Sequence, residues 1–347
     1  MESSGKVRTV TGPIEPSKVG VTLTHEHMNL VFDVAHVPAL ENEKELMNLP
    51  FCMENLGWIR QNPYSHKDNL IFNDDATKRA VIEDVIKFKN FGGGTIVENT
   101  THGLQRDLEF MKKVANDTGI NIVAGTGFYI SAAQTPNILS IKMEEIADLM
   151  RNEIINGCDG IKCGVIGELG CSWPLHGFEK KNLSAAAIVQ EELNAPVMIH
   201  PGRHHEAPSE TLRYFLEAGG KASKTVMAHL DRSIFDNCEL VEFAKMGSYC
   251  EFDLFGIEVS IYQLNDSVDM ISDAERISKL THLIEEGFED KIVISHDIHT
   301  KHRLTNFGGN GYSHILRYVV PQMKNRKFTQ TIINKILIQN PTTWLSF

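Results

Sequence analysis

Eight short apolar runs rich in β-branched residues constrain this 347-residue chain more than any other feature. They are Gly20–Thr24, Gly94–Glu98, Asn121–Gly125, Gly160–Gly164, Pro196–Ile199, Thr225–Ala228, Tyr249–Phe252 and Lys291–Ser295. Near-continuous apolar character suits strands covered on both faces, as in a parallel sheet. Segments of helical period lie between them. Val81, Ile82, Val85 and Ile86 share one face of a helix that Asp75 would cap and Gly92-Gly-Gly would end. Met143, Ile146, Met150 and Ile154 form a second stripe; Ile277, Leu280, Leu283 and Ile284 form a third, closed by Gly287. Each reads as a core-facing surface. The alternation predicts a single α/β domain over residues 1–347, a (β/α)8 TIM barrel. The competing doubly wound sheet is weakened because no glycine-rich phosphate-binding motif follows an early strand. Residues 31–72, between the first and second strands, are too long for a plain βα connection. Loops after strands line the active face of a barrel, so this segment is expected to cover it.

Hydrophobic residues make up 42% and charged residues 23%, as in an ordinary globular chain with a core that needs no disulfides. The formal net charge of −11 argues against a nucleic-acid partner, which needs a basic face; a small anion needs only a few local cations. Cys52, Cys158, Cys163, Cys171, Cys238 and Cys250 form no CxxC pair, and their apolar neighbours predict mostly buried free thiols in a reducing compartment. The first residues, Met-Glu-Ser-Ser-Gly-Lys, hold no apolar run, and no stretch approaches the ~20 apolar residues of a membrane span. A cytosolic protein without membrane association is expected.

Ligand-type side chains fall at the C-terminal ends of these strands. His25 and His27 follow the first strand in Thr24-His-Glu-His. Alternation points both imidazoles into the barrel mouth and Glu26 away from it. His200 ends the fifth strand, His229 the sixth and Asp297 the eighth. Imidazole with carboxylate suits Zn, Mn, Fe or Co better than Mg or Ca. Two metals need a bridging anion, and the fourth strand offers Lys162, if carbamylated, or Glu168. Tyr129 and Phe128 follow the third strand as candidate pocket walls. Arg203 carries a planar fork suited to a sulfonate or carboxylate. Lys301, His302 and Arg303 form a second candidate anion site or a solvated loop; His296 and His299 flank Asp297 as candidate orienting groups.

This set resembles the phosphotriesterase family of the amidohydrolase superfamily over essentially the whole chain. The resemblance extends to Gly125-Thr-Gly-Phe-Tyr, Gly167-Glu-Leu-Gly and His200-Pro-Gly-Arg. It implies two divalent ions per chain, zinc foremost, with His25, His27 and Asp297 on one and His200 and His229 on the other. Glu168, 32 residues before His200, matches the family's spacing for the bridge better than Lys162. A glutamate there departs from the lysine-bridged triesterases and puts organophosphate hydrolysis in doubt as the natural activity. The resemblance assigns catalysis to Asp297 and Glu168 around an activated water, Asp297 carrying a proton to the leaving group. Gly167-Glu-Leu-Gly-Cys-Ser-Trp with Ile199-His-Pro-Gly-Arg is similar to one branch of the family. That branch implies hydrolysis of an anionic N-acyl amine, N-acetyltaurine, to acetate and taurine. Tyr129, Arg203, His299 and Lys301 are the expected substrate contacts. A lactonase or phosphotriesterase on the same centre, and a metal-binding scaffold without catalysis, are the alternatives. The resemblance leaves a homodimer open.

Overall fold

The computed structural model describes residues 5–347. Two short strands, β1 (Val7–Thr9) and β2 (Gly12–Ile14), pair antiparallel ahead of the expected set. Eight strands then form one parallel sheet in chain order: β3 (Val21–Glu26), β4 (Gly93–Glu98), β5 (Asn121–Thr126), β6 (Val165–Gly170), β7 (Val197–His200), β8 (Thr225–Met227), β9 (Tyr249–Phe252) and β10 (Ile292–Ile294). The seam between β10 and β3 is closed just past the ladder, where the Asp297 N–H donates to the His25 carbonyl at 3.0 Å. Helices connect the strands, so the architecture is the expected (β/α)8 barrel.

Alternation along the strands sorts the core into two clusters. Val97, Val123, Val165, Met198, Val226 and Val293 belong to one, together with Trp344 and Leu345 from the C-terminal helix. Their neighbours Ile96, Ile122, Ile166, Ile199, Met227 and Ile292 belong to the other, with the helix stripes. Ile146, Met150 and Ile154 are fully buried on the helix Met143–Ile155, as are Ile277, Leu280 and Leu283 on Asp273–Glu285. The helix Asp75–Asn90 buries Val81 and Val85 but leaves Ile86 41% exposed; Ala80 and Phe88 complete its inner face instead. Its cap is Asp74, one residue before the expected Asp75, accepting from the Ala76 and Thr77 N–H groups.

The fourth strand lies five residues beyond its expected start. Residues 157–161 make a turn, with Gly157 and Gly160 at positive φ and Cys158 bridged to Ile161. The strand begins at Val165, which places Glu168 inside β6 and leaves Lys162 exposed on the outside. Of the cysteines, only Cys163, Cys171 and Cys250 are buried; Cys52, Cys158 and Cys238 are exposed, and all are free.

The long connection after β3 folds as 3-10 turns and one helix, Met53–Gln61. Its ends are tied by a bridge between Val31 and Ile71. Phe32, Pro63 and Tyr64 from this segment line the main pocket, the covering role expected of it.

Candidate metal centre

Histidines and carboxylates from five barrel strands converge at the C-terminal mouth. His25 lies in β3 and His27 just beyond it; Glu168 is in β6, His200 ends β7, and His229 and Asp297 follow β8 and β10. All six are buried. His25 Nε2 lies 3.6 Å from Glu168 Oε1 and 3.8 Å from Asp297 Oδ1. His27 Nε2 is 3.1 Å from Asp297 Oδ1 and 3.8 Å from Glu168 Oε2. His229 Nε2 is 3.2 Å from Glu168 Oε1, and His200 Nδ1 bonds that same oxygen. His229 and Asp297 adopt positive φ, +59° and +51°, a sparsely populated conformation that the surrounding contacts must hold.

Three imidazoles have their lone pairs aimed inward by partners behind them. Asp253, directly after β9, takes the Nδ1 protons of His25 at 2.9 Å and His229 at 2.8 Å, and the His229 backbone N–H at 3.1 Å. Thr100 donates its hydroxyl proton to Glu98 at 2.7 Å, so its oxygen accepts from His27 Nδ1 at 2.9 Å. With Nδ1 protonated, each Nε2 presents a lone pair to the centre. His25 Nε2 is buried without a hydrogen-bond partner among the described residues. The ligand atoms of His25, His27 and Asp297, and those of His25, Glu168 and His229, lie within 4.8 Å of one another. An orphaned lone pair among carboxylate oxygens at these separations fits a divalent cation. His200 differs, because its Nε2 accepts from Arg232 at 3.2 Å while its Nδ1 faces Glu168.

The electrostatics ask for positive charge. Burial opposes protonation of His25, but the charges of Glu168 and Asp297 outweigh it and raise its pKa well above the usual value. Burial alone would raise Glu168; His200 and His25 overcome that and hold the carboxyl well below its ordinary range. Asp297 is likewise held low against burial, by His299 and His25. Glu251 moves the other way: burial and the neighbouring Asp253 push it up to about 7 despite the Thr24 hydroxyl that donates to it and His25 at 3.6 Å.

Glu26 points away from the centre, as alternation requires. Its carboxylate accepts from Ser295, from the His296 ring and from the backbone N–H groups of His296 and Ile298, fastening the segment that presents Asp297. His299 Nδ1 is shared between the Asp297 backbone oxygen at 2.7 Å and Oδ1 at 3.1 Å, and its Nε2 meets Tyr64 Oη at 3.0 Å. Tyr129 stands edge-on to His200 in the pocket wall, with ring centroids 5.1 Å apart. Arg203 lines the same pocket and donates Nε to Tyr262 Oη at 2.9 Å.

Lys301 is a correction. Its ammonium lies between Asp68 and Asp74, 2.6 Å from each, outside the pocket wall and committed to the covering segment. Phe128 is core, packed edge-on to Phe178. Arg303, from the same loop as Lys301, does reach the pocket, as does Arg232. Asp253, Thr100 and Arg232 were not anticipated; Asp253 follows the one late strand end to which the sequence reading assigned no function.

The profile of the Phosphotriesterase family matches residues 5–345. An N-acetyltaurine hydrolase of Xenopus tropicalis is 51% identical over 346 residues, covering 99% of each chain. One from Homo sapiens is 49% identical over 346 residues, again covering 99% of each chain. Among solved structures, a resiniferatoxin-binding protein from Rhodobacter sphaeroides superposes with a TM-score of 0.93 at 30% identity, covering 99% of this chain and 95% of its own.

Proposed function

This chain belongs to the phosphotriesterase family, and on that premise we propose that it is a metal-dependent amidohydrolase cleaving N-acetyltaurine to acetate and taurine. The observation that carries the chemistry is the convergence of three pre-oriented imidazoles on Glu168 and Asp297. The relatives named N-acetyltaurine hydrolase, similar over 99% of the chain, carry the substrate.

His25, His27 and Asp297 would hold one divalent ion and His229 a second, with Glu168 shared between them. His200 would join the second only on giving up the Arg232 bond, since with Nε2 accepting from Arg232 its Nδ1 carries the proton. Zinc is the proposed metal. When bound, such ions supply Lewis acidity at the scissile carbonyl and make water a nucleophile at neutral pH. Asp297 is the proton carrier: it takes a proton from the attacking water and returns it to the amine nitrogen as the C–N bond breaks. An amine leaving group depends on that delivery. His299, bonded to Asp297 and backed by Tyr64, fixes the carboxylate's direction. Tyr129 walls the acyl end against His200. Arg203 meets the acid group at the far end of the substrate.

A cytosolic location belongs to the same proposal, as does the homodimer left open above; no helix among the described residues is long and apolar enough to cross a membrane. The test compares initial rates on N-acetyltaurine, a lactone and a phosphotriester, with and without chelator. Chelator-sensitive amide hydrolysis well above the other two is expected. Background amide hydrolysis, or a lactone rate that exceeds it, would sink the proposal.

A further inference from the structure

Besides the exposed Arg60, three arginines line the pocket above the metal centre: Arg203, Arg232 and Arg303. This protein has 45 acidic residues and a net charge of −11, so carboxylate partners are abundant. Among the described residues none of the three uses one. Arg203 bonds the Tyr262 phenol through Nε. Arg232, 3% exposed, donates Nη2 to His200 Nε2 and to the Pro201 carbonyl, each at 3.2 Å. Arg303, 5% exposed, donates Nη2 to the Phe255 and His296 carbonyls, both at 3.0 Å. Nη1 of Arg232 and of Arg303 is buried with no hydrogen-bond partner among the described residues. Elsewhere the chain pairs its buried arginines: Arg276 with Asp231 and Asp273, Arg106 with Glu153. A buried cation without an anionic partner is costly. The carboxylates in the pocket, Glu168 and Asp297, are engaged by the histidines; Glu258 at the rim is exposed and receives the Asp273 N–H.

We propose that Arg232 and Arg303, with Arg203, form a positively charged chamber that selects N-acyl amines bearing one anionic group and discharges the amine product. The product half of this rests on the amidohydrolase reading. Hydrolysis converts R–NH–CO–CH3 and water into acetate and R–NH3+: the C–N bond breaks, a C–O bond forms, and the nitrogen takes up the protons. An alkyl amine is protonated at neutral pH, as lysine is with its pKa near 10.4. The substrate therefore enters as a mono-anion with a neutral nitrogen, and the product leaves as a zwitterion of zero net charge. The chamber attracts the first and holds the second less tightly.

The experiment is calorimetric titration of the metal-loaded protein with propane-1-sulfonate and with taurine, which differ at the terminal group. The wild type is expected to bind the sulfonate at least tenfold more tightly than taurine. In Arg303→Gln, sulfonate affinity should fall at least tenfold and the selectivity should narrow; Arg303→Lys, which keeps the charge, should restore most of both. Arg232→Gln is read alongside, with bound metal measured because it touches His200. Equal affinities in the wild type, or unchanged sulfonate binding in both glutamine variants, would overturn the chamber. Sulfonate selectivity in a protein that fails to hydrolyse N-acetyltaurine would leave the chamber standing and remove the amidohydrolase reading instead.

Discussion

Asp253 fixes two of the metal-facing imidazoles at once. It receives the Nδ1 protons of His25 and His229, and its own pKa is held low by His229 and His25 against the effect of burial. Replacing it with asparagine puts an amide N–H against one of those donors, and one imidazole must turn or change tautomer. Partners behind metal ligands typically contribute 10–100-fold to affinity. Asp253→Asn is therefore expected to bind zinc about 10–100-fold more weakly, measured by competition with a chromophoric chelator; affinity within twofold of the wild type would contradict this role. Asp253 was harder to read than the ligands it supports. His25 and His27 announce themselves by two-residue spacing, and His200, His229 and Asp297 gain weight as a set at strand ends. A lone aspartate after Tyr-Cys-Glu-Phe carries no spacing signal, yet it occupies the same kind of position, and inspecting every strand end alike would have found it. Lys301 failed for the opposite reason: beside His302 and Arg303 it looked like an anion site, while its partners Asp68 and Asp74 lie more than 220 residues earlier.

Among elements, the stretch from 31 to 72 and the strand β6 show where local pattern stops informing. Length alone marked the first as a cover, but its anchoring is tertiary. The Tyr64 N–H donates to Gln263 at 3.0 Å, Gln263 donates to Ser65 at 2.9 Å, and Lys301 clamps Asp68 and Asp74. For β6, the apolar run around Ile161 turned out to precede the strand, whose sequence Val165-Ile-Gly-Glu-Leu-Gly carries two glycines, residues that ordinarily weaken a strand interior. Those glycines answer to close packing: a Cβ at Gly167 would stand 2.3 Å from the Met198 carbonyl oxygen, and one at Gly170 would stand 2.2 Å from the Ile130 nitrogen. Anchoring of the cover by Lys301 makes a prediction. Lys301→Met should leave the KM for N-acetyltaurine within twofold, because the ammonium is not in the pocket, while lowering stability by about 1 kcal/mol, the scale of a partly exposed ion pair. Asp74 sets the pH dependence. Burial raises its pKa, but the Lys301 bond and the Thr77 contacts outweigh that and lower it from 3.8 to about 2. A depressed carboxylate stabilises the fold above its unfolded pKa and loses that contribution as pH falls through the folded one. The gap between variant and wild type should thus be full above pH 4 and close toward pH 2, followed by denaturant titration across that range. A tenfold rise in KM would return Lys301 to the substrate site.

Across the whole molecule, topology was the most legible property, because eight alternations of strand and helix admit few arrangements and connections are right-handed. What pattern could not convey is how the barrel is stopped at either end. At one end Trp344, fully buried, donates Nε1 to the Val197 carbonyl at 3.3 Å. At the other lies the histidine–carboxylate cluster, which closes the β10–β3 seam through the Asp297 N–H. A cluster that crowds Glu168 and Asp297 among four imidazoles, with a lone pair of His25 unanswered, is a poor stopper by itself. Metal that binds only the folded chain stabilises it by mass action, about 2.7 kcal/mol when free metal is a hundred times the dissociation constant. For a domain of this size each kcal/mol moves the melting temperature by roughly 2–4 °C or somewhat less. Chelated protein is therefore expected to melt several degrees below the zinc-loaded form, with the shift reversed by added zinc and reduced in Asp253→Asn. Differential scanning calorimetry of wild type and variant, each with and without chelator, supplies the measurement. Coincident transitions for loaded and stripped wild type would mean that the cluster closes the barrel without a metal, and the ligand assignments would fall with it.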